Sequence, residues 1–164
     1  SLQFAIRLQV GQPTEPLITS LAALLDDYLH RPTVGQPIEY FHSVLLGLCH
    51  RLPISLWAIQ EEDPALVRHV DAGGEERLPG KLAGADVGVR PEAFVEQWAN
   101  RLRREGSECA ECPFFAPCRG YFKWPRRDYD CAGVRTLFST LQQAAEALRA
   151  DIAAIPPAGD VSPP

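Results

Sequence analysis

No apolar run in this sequence approaches the roughly 18 residues that a membrane span needs, so no membrane protein is expected. Histidine is scarce. The four present, His30, His42, His50 and His69, form no HExxH or comparable metal spacing, and each reads as a surface or helix-end residue. There is no GxSxG elbow and no phosphate loop, and the pair Gly73-Gly74 lacks the strand and helix that a nucleotide motif needs around it. Acidic pairs such as Asp26-Asp27 and Glu61-Glu62 read as solvated. Net positive charge is also missing: 16 Lys and Arg against 21 Asp and Glu give −5, which argues against a nucleic-acid binder held by its overall field. At 164 residues the chain is too short for a complete barrel enzyme. These absences leave no self-sufficient active site in the sequence.

What the chain does have is concentrated near its end. Four of its five cysteines lie in CAECPFFAPCRGYFKWPRRDYDC, spaced Cys109-x2-Cys112-x5-Cys118-x12-Cys131. Residues 1–100 carry seven basic and thirteen acidic side chains, whereas residues 101–135 carry eight basic and five acidic, so the cysteine segment is the basic part of an acidic protein. A C-x2-C pair lets two thiolates from one tight turn reach the same centre, and Pro113, Pro117 and Gly120 supply irregular backbone that can bring in a third. Four soft ligands suit zinc or an iron–sulfur cluster. With only one tight pair, the spacing leans towards iron and sulfur. Disulfides and free structural thiols remain as alternatives. Cys131, before the last helix, lies where unpaired amides and the helix dipole favour a thiolate. Cys49 stands alone beside an apolar helix stripe and reads as a buried small hydrophobe. The opening SLQFAIRLQV shows no export signal, which makes a reducing cytoplasm the expected compartment.

Along the chain, alternation predicts a half-buried strand over Leu2 to Gln9. Helical spacing predicts helices from Thr14 to about Arg31, from Pro37 to Arg51, from Pro91 to near Gly106, and from about Cys131 to Ile155. ISLWAIQ and ALVRHVD read as two short strands, and Ala72 to Arg90 as irregular connection. The fold expected is α+β: a small winged-helix-like, leader-recognition half with short strands over residues 1–90, then helices flanking an irregular Cys-rich module over 91–155, then a flexible tail over 156–164.

The cysteine spacing resembles SPASM, the carboxy-terminal auxiliary-cluster module of radical S-adenosylmethionine enzymes that modify peptides. That resemblance implies a [4Fe-4S] cluster on Cys109, Cys112, Cys118 and Cys131. Two departures matter. The family's next cysteine, four positions after the third, is Phe122 here, and the C-x3-C-x2-C motif that activates S-adenosylmethionine is absent. The chain therefore reads at most as a single-cluster electron-transfer subunit for a separate radical enzyme.

The stretch CRGYFKWPRRDYDCAGV, with the overall length and layout, resembles the MbnC-type accessory proteins of methanobactin-like peptide biosynthesis. That resemblance implies a subunit without catalysis of its own. Its partner would be a barrel oxidase, containing iron, that uses dioxygen to convert cysteines of a ribosomally made precursor into oxazolone and thioamide groups. Enzyme, accessory protein and precursor would form a heterodimer or heterotrimer, with no nucleic acid and no membrane involved. A leader peptide would add a strand at an exposed edge near Leu2 to Gln9 or Ile54 to Gln60. Candidate contact residues are Trp57, Trp98, Phe115, Tyr121 and Trp124, with Arg119, Lys123, Arg126 and Arg127 at the rim.

Overall fold

The four long apolar stripes become helices, and their starts show what competes with helix formation. In the computed structural model, which describes residues 4–78, 80–83 and 90–155, helix α1 spans Glu15–His30 and buries Leu21 and Leu25. Helix α2 spans Glu39–His50 and buries Tyr40, Phe41, Val44 and Cys49. It begins after Pro37 because the backbone there is committed elsewhere. The Ile6 amide donates to the Pro37 carbonyl and the Glu39 amide to the Ile6 carbonyl, both at 2.8 Å, so Ile6 and Ile38 form a parallel bridge.

The sequence-based strands are largely replaced. Residues 4–10 run beside Ile38 with that single bridge. Ile54 to Gln60, expected as a strand, instead contains one helical turn, α3, Leu56–Ile59. A half-buried strand would send one of two successive side chains outward, whereas Leu56 and Trp57 are both wholly buried. The strand expected in ALVRHVD shortens to β1, His69–Val70, which pairs antiparallel with β2, Glu76–Arg77, inside the stretch read as irregular. Asp71 closes that hairpin: its carboxylate accepts from the Gly73 and Glu75 amides and pairs with Arg77 at 2.8 Å.

Helix α4, Phe94–Arg104, follows a 3-10 turn at Pro91–Ala93, and a second short helix, α5, is Phe115–Cys118. Helix α6, Ala132–Ala154, is about 35 Å long and packs against α1 and α2. The result is a helix-dominated α+β fold with a two-stranded sheet. One hydrophobic core draws on both halves of the chain, joining Leu25, Phe41 and Trp57 to Leu102, Phe122 and Leu141. Among the described residues no helix is long and apolar enough to cross a membrane. Pro79, residues 84–89, residues 1–3 of the opening strand and the tail 156–164 lie outside the described residues.

Gln60 fixes the opening segment from within. Its buried side-chain amide donates to the Leu8 carbonyl at 3.0 Å and accepts from the Val10 amide at 2.7 Å, so it stands in for a peptide unit of a neighbouring strand. Gln60→Leu leaves two backbone groups without partners and is expected to cost about 2–4 kcal/mol. Chemical denaturation with amide exchange at Val10 checks this: unchanged stability and a still-protected amide would contradict it.

Candidate functional site

The cysteine segment folds as a series of tight turns rather than as a loop. Ser107 accepts the Cys109 amide at 3.3 Å and opens a 3-10 turn, Glu108–Ala110. The Cys112 carbonyl then accepts the Phe115 amide, which starts α5. Arg119 and Gly120 both adopt left-handed backbone, reversing the chain into a 3-10 turn, Tyr121–Lys123. A cis peptide joins Trp124 to Pro125. Gly120 is required twice over: its φ is +74°, and a Cβ there would lie 2.2 Å from Leu102 Cδ1.

These turns bring all four cysteines of the motif to one small cavity of about 30 Å³, together with Glu108, Lys123, Arg135 and the rings of Phe114, Phe115, Phe122 and Phe138. All five cysteines in the chain are free thiols. The cavity wall carries a charge network of which only Lys123 is buried: Lys123 Nζ lies 2.5 Å from the half-exposed Glu108, which also meets Arg135 at 3.1 Å. Burial works against the Lys123 ammonium, but its bond to Glu108 and the nearby cysteines outweigh that and hold its pKa above the ordinary value.

Burial acts on the thiols in the opposite sense. It pushes Cys118 up to about 11, against donation from the amides that follow it, and Cys131 up to about 12, against the pull of Lys123. Burial raises Cys109 as well. The thiolate expected at Cys131 is therefore not favoured: the first helical amide, that of Ala132, is satisfied by Asp130 at 2.8 Å, and the thiol is desolvated. Tyr40, wholly buried and close enough to feel charge on Cys118, has a hydroxyl with no hydrogen-bond partner among the described residues.

Four cysteines are by number and type the donor set of an iron–sulfur cluster, but lining one cavity is all that the fold gives them. Among the described residues no three His, Cys, Asp or Glu side chains converge on one metal position, whether for zinc or for a cluster. The cavity has room for about a water or two, far less than a cluster occupies.

The aromatic residues expected at a partner surface lie inside. Trp57, Trp98, Phe115 and Tyr121 are buried, and Trp124 is half-buried. Their positions follow from their polar ends. The Trp98 indole donates to the Gly120 carbonyl at 3.0 Å, Trp57 to the Arg119 carbonyl at 3.3 Å and Trp124 to the Lys81 carbonyl at 3.0 Å. Phe94 sits among them, edge to face with Trp57 and Trp124. Lys123 is also buried rather than at a rim. Arg126 and Arg127 are exposed, the first bonded to Gln12 and the second paired with Glu105, and Arg119 is half-exposed.

Glu108 and Arg135 were legible only as neighbours of Cys109 and Cys131. Lys81 gave no sequence signal. Its ammonium donates to the Tyr121 carbonyl at 2.9 Å and lies 3.2 Å from the centre of that ring, and burial lowers its pKa to about 7 despite the pull of Glu62.

No protein-family model, no curated protein and no solved structure matches this chain.

Two expectations follow from this packing. Gly74 is also left-handed but faces open space, so Gly74→Ala should cost about 1–2 kcal/mol, and Gly120→Ala about 2–5 because overpacking adds to the backbone strain. Equal costs in urea denaturation would contradict the close approach of Leu102 and Trp98. The second concerns pH. Lys81 loses its proton near 7 when folded but near 10.5 when unfolded, so the unfolded state holds more protons between those values and stability climbs with pH. The raised thiols act oppositely above about pH 9, where the unfolded chain loses their protons first and stability falls. Relative to Lys81→Met, the native melting temperature should rise from pH 6.5 to 8.5; parallel curves would contradict the buried ammonium.

Proposed function

We propose that this chain is a non-catalytic accessory subunit that binds a ribosomally made precursor peptide and the iron-dependent oxidase that modifies it, as its resemblance to the methanobactin-type accessory proteins implies. The observation that carries the reading is the outer edge of the opening segment. Ile6, Leu8 and Val10 turn their backbone groups inward to Pro37, Glu39 and Gln60. In an extended chain the intervening residues point the other way, and the backbone groups of Ala5, Arg7 and Gln9 make no hydrogen bond among the described residues. All three residues are exposed, as are the apolar side chains Phe4 and Ile6. A peptide that adds a strand here gains main-chain bonds and apolar contact together.

The element order supports a winged-helix-like leader-recognition half: α1, α2 and the turn α3 precede the β1–β2 hairpin. The other edge considered, Ile54 to Gln60, drops out because it is helical and faces the core. The aromatic module then serves the partner through its outer shape and its exposed arginines, while its rings hold that shape from inside.

A second reading, a single-cluster electron-transfer subunit, is favoured by the convergence of all four motif cysteines on one cavity. When bound, a cluster would supply one-electron chemistry. Cys109, Cys112, Cys118 and Cys131 would hold it, while Lys123 and Arg135 offset thiolate charge.

Ala5→Pro tests the edge, because proline removes one outward donor and is tolerated on edge strands. Affinity for a precursor peptide that binds the wild-type chain should fall about tenfold, with the melting curve unchanged; undiminished affinity would count against the edge. Anaerobic purification separates the two readings. The adaptor copurifies with an iron-loaded oxidase and carries no iron itself, whereas about four irons per chain, with visible absorption lost in Cys112→Ala, would support electron transfer instead.

A further inference from the structure

Where α2 ends, the chain leaves an open groove of about 470 Å³ beside the Cys-rich module. Its lining is apolar: Leu48, Leu52 and Ile54 from the end of α2 and the loop after it, Phe114 and Pro117 from the module, and Ala145 from α6. Ile54 can lie this close to α2 because residue 47 is glycine, where a Cβ would stand 2.3 Å from Ile54 Cγ2. Leu52 is left 59% exposed, more than a residue of the closed core would be.

Two guanidinium groups, Arg51 and Arg149, border this apolar lining. Among the described residues neither forms an ion pair, a state they share with Arg103, Arg104, Arg119 and Arg126, none of which lines this groove. The one acid in the lining, Glu146, already accepts from Gln142 at 3.0 Å and leaves the groove with a positive balance. Arg51 also occupies a left-handed position, φ 56°, where glycine or asparagine would carry less strain. An apolar trough bordered by two arginines and one acid, with a net positive balance of one, matches a peptide segment with apolar side chains around a carboxylate.

We propose that this groove is a second peptide subsite, holding an apolar segment of the precursor through a carboxylate that Arg51 and Arg149 clasp. The identity of the peptide rests on the adaptor reading above; the chemistry of the groove does not. The spacing is compatible with one peptide reaching both places. The Ile6–Ile38 bridge lies at the start of α2 and Arg51 at its end, about 18 Å along twelve helical residues, which an extended chain covers in roughly six. Phe114 lines both this groove and the thiol cavity and stacks on Phe138 at 5.3 Å, so a peptide seated here lies one ring away from the cysteines.

The test uses the full chain and two labelled decapeptides, one centred on Leu-Leu-Glu-Leu and one with Lys in place of that Glu. The acidic probe should bind about tenfold more tightly, shift the amide resonances of Gly47, Leu52 and Ala116, and lose that advantage in Arg51→Asn, which suits the left-handed position. Arg149→Glu should reverse the preference. Equal binding of the two probes, or resonance shifts confined to other surfaces, would overturn the proposal. So would a concentration-dependent dimer abolished by Leu52→Glu, which would make a second copy the occupant. Ala5→Pro should leave decapeptide binding unchanged: if it also spares precursor binding while the charge preference holds, the edge reading fails and the groove stands.

Discussion

Three indole N–H groups turned into the fold each need an acceptor, and none finds it in an α-helix or strand. Trp57 and Trp98 take theirs from consecutive carbonyls, Arg119 and Gly120, at the left-handed reversal of the Cys-rich module, and Trp124 reaches back to Lys81. Leaving a buried donor unpaired costs about 1–3 kcal/mol, so the three bonds fix where the irregular backbone can lie against α3 and α4. The rings then close around Phe94 and Tyr121. The position of the thiols follows from that constraint, because Cys118 immediately precedes the reversal.

The module thus has an inner and an outer character. Inside, four thiols share a cavity with a Glu108–Lys123–Arg135 network, and desolvation favours the protonated form of Cys109, Cys118 and Cys131. Outside, exposed arginines and an apolar groove face solvent. The opening segment is tied to the same module: Gln12 donates to the Phe122 and Arg126 carbonyls, and the Tyr129 hydroxyl donates to the Pro13 carbonyl. A short run of hydrogen bonds thus joins the end of the opening segment to the turns that hold the cysteines.

The helices were legible because each carries a long stripe at one spacing, and Pro91 and Gly106 bracket α4 as such residues should. The strands were not. Leu56 and Trp57 alternate with their neighbours on paper, yet both face the core because an indole acceptor waits at Arg119, a partner sixty residues away that no local pattern reveals. The same blindness placed Phe115 and Tyr121 at a surface: aromatic and basic residues interleaved in a loop look like a contact patch until the loop is seen to be packed. The convergence of the cysteines was readable from C-x2-C and the flanking prolines, because that inference needs only short-range geometry. Lys81 and Gln60 were invisible, since each matters only through a long-range contact.

The central claim, that the opening segment receives a peptide strand, is tested most directly by amide hydrogen exchange at Ala5, Ile6 and Arg7 with and without the precursor peptide. The account predicts that Ile6 is protected in both states while Ala5 and Arg7 become protected only in the complex. A complex that forms with Ala5 and Arg7 still exchanging freely would contradict it.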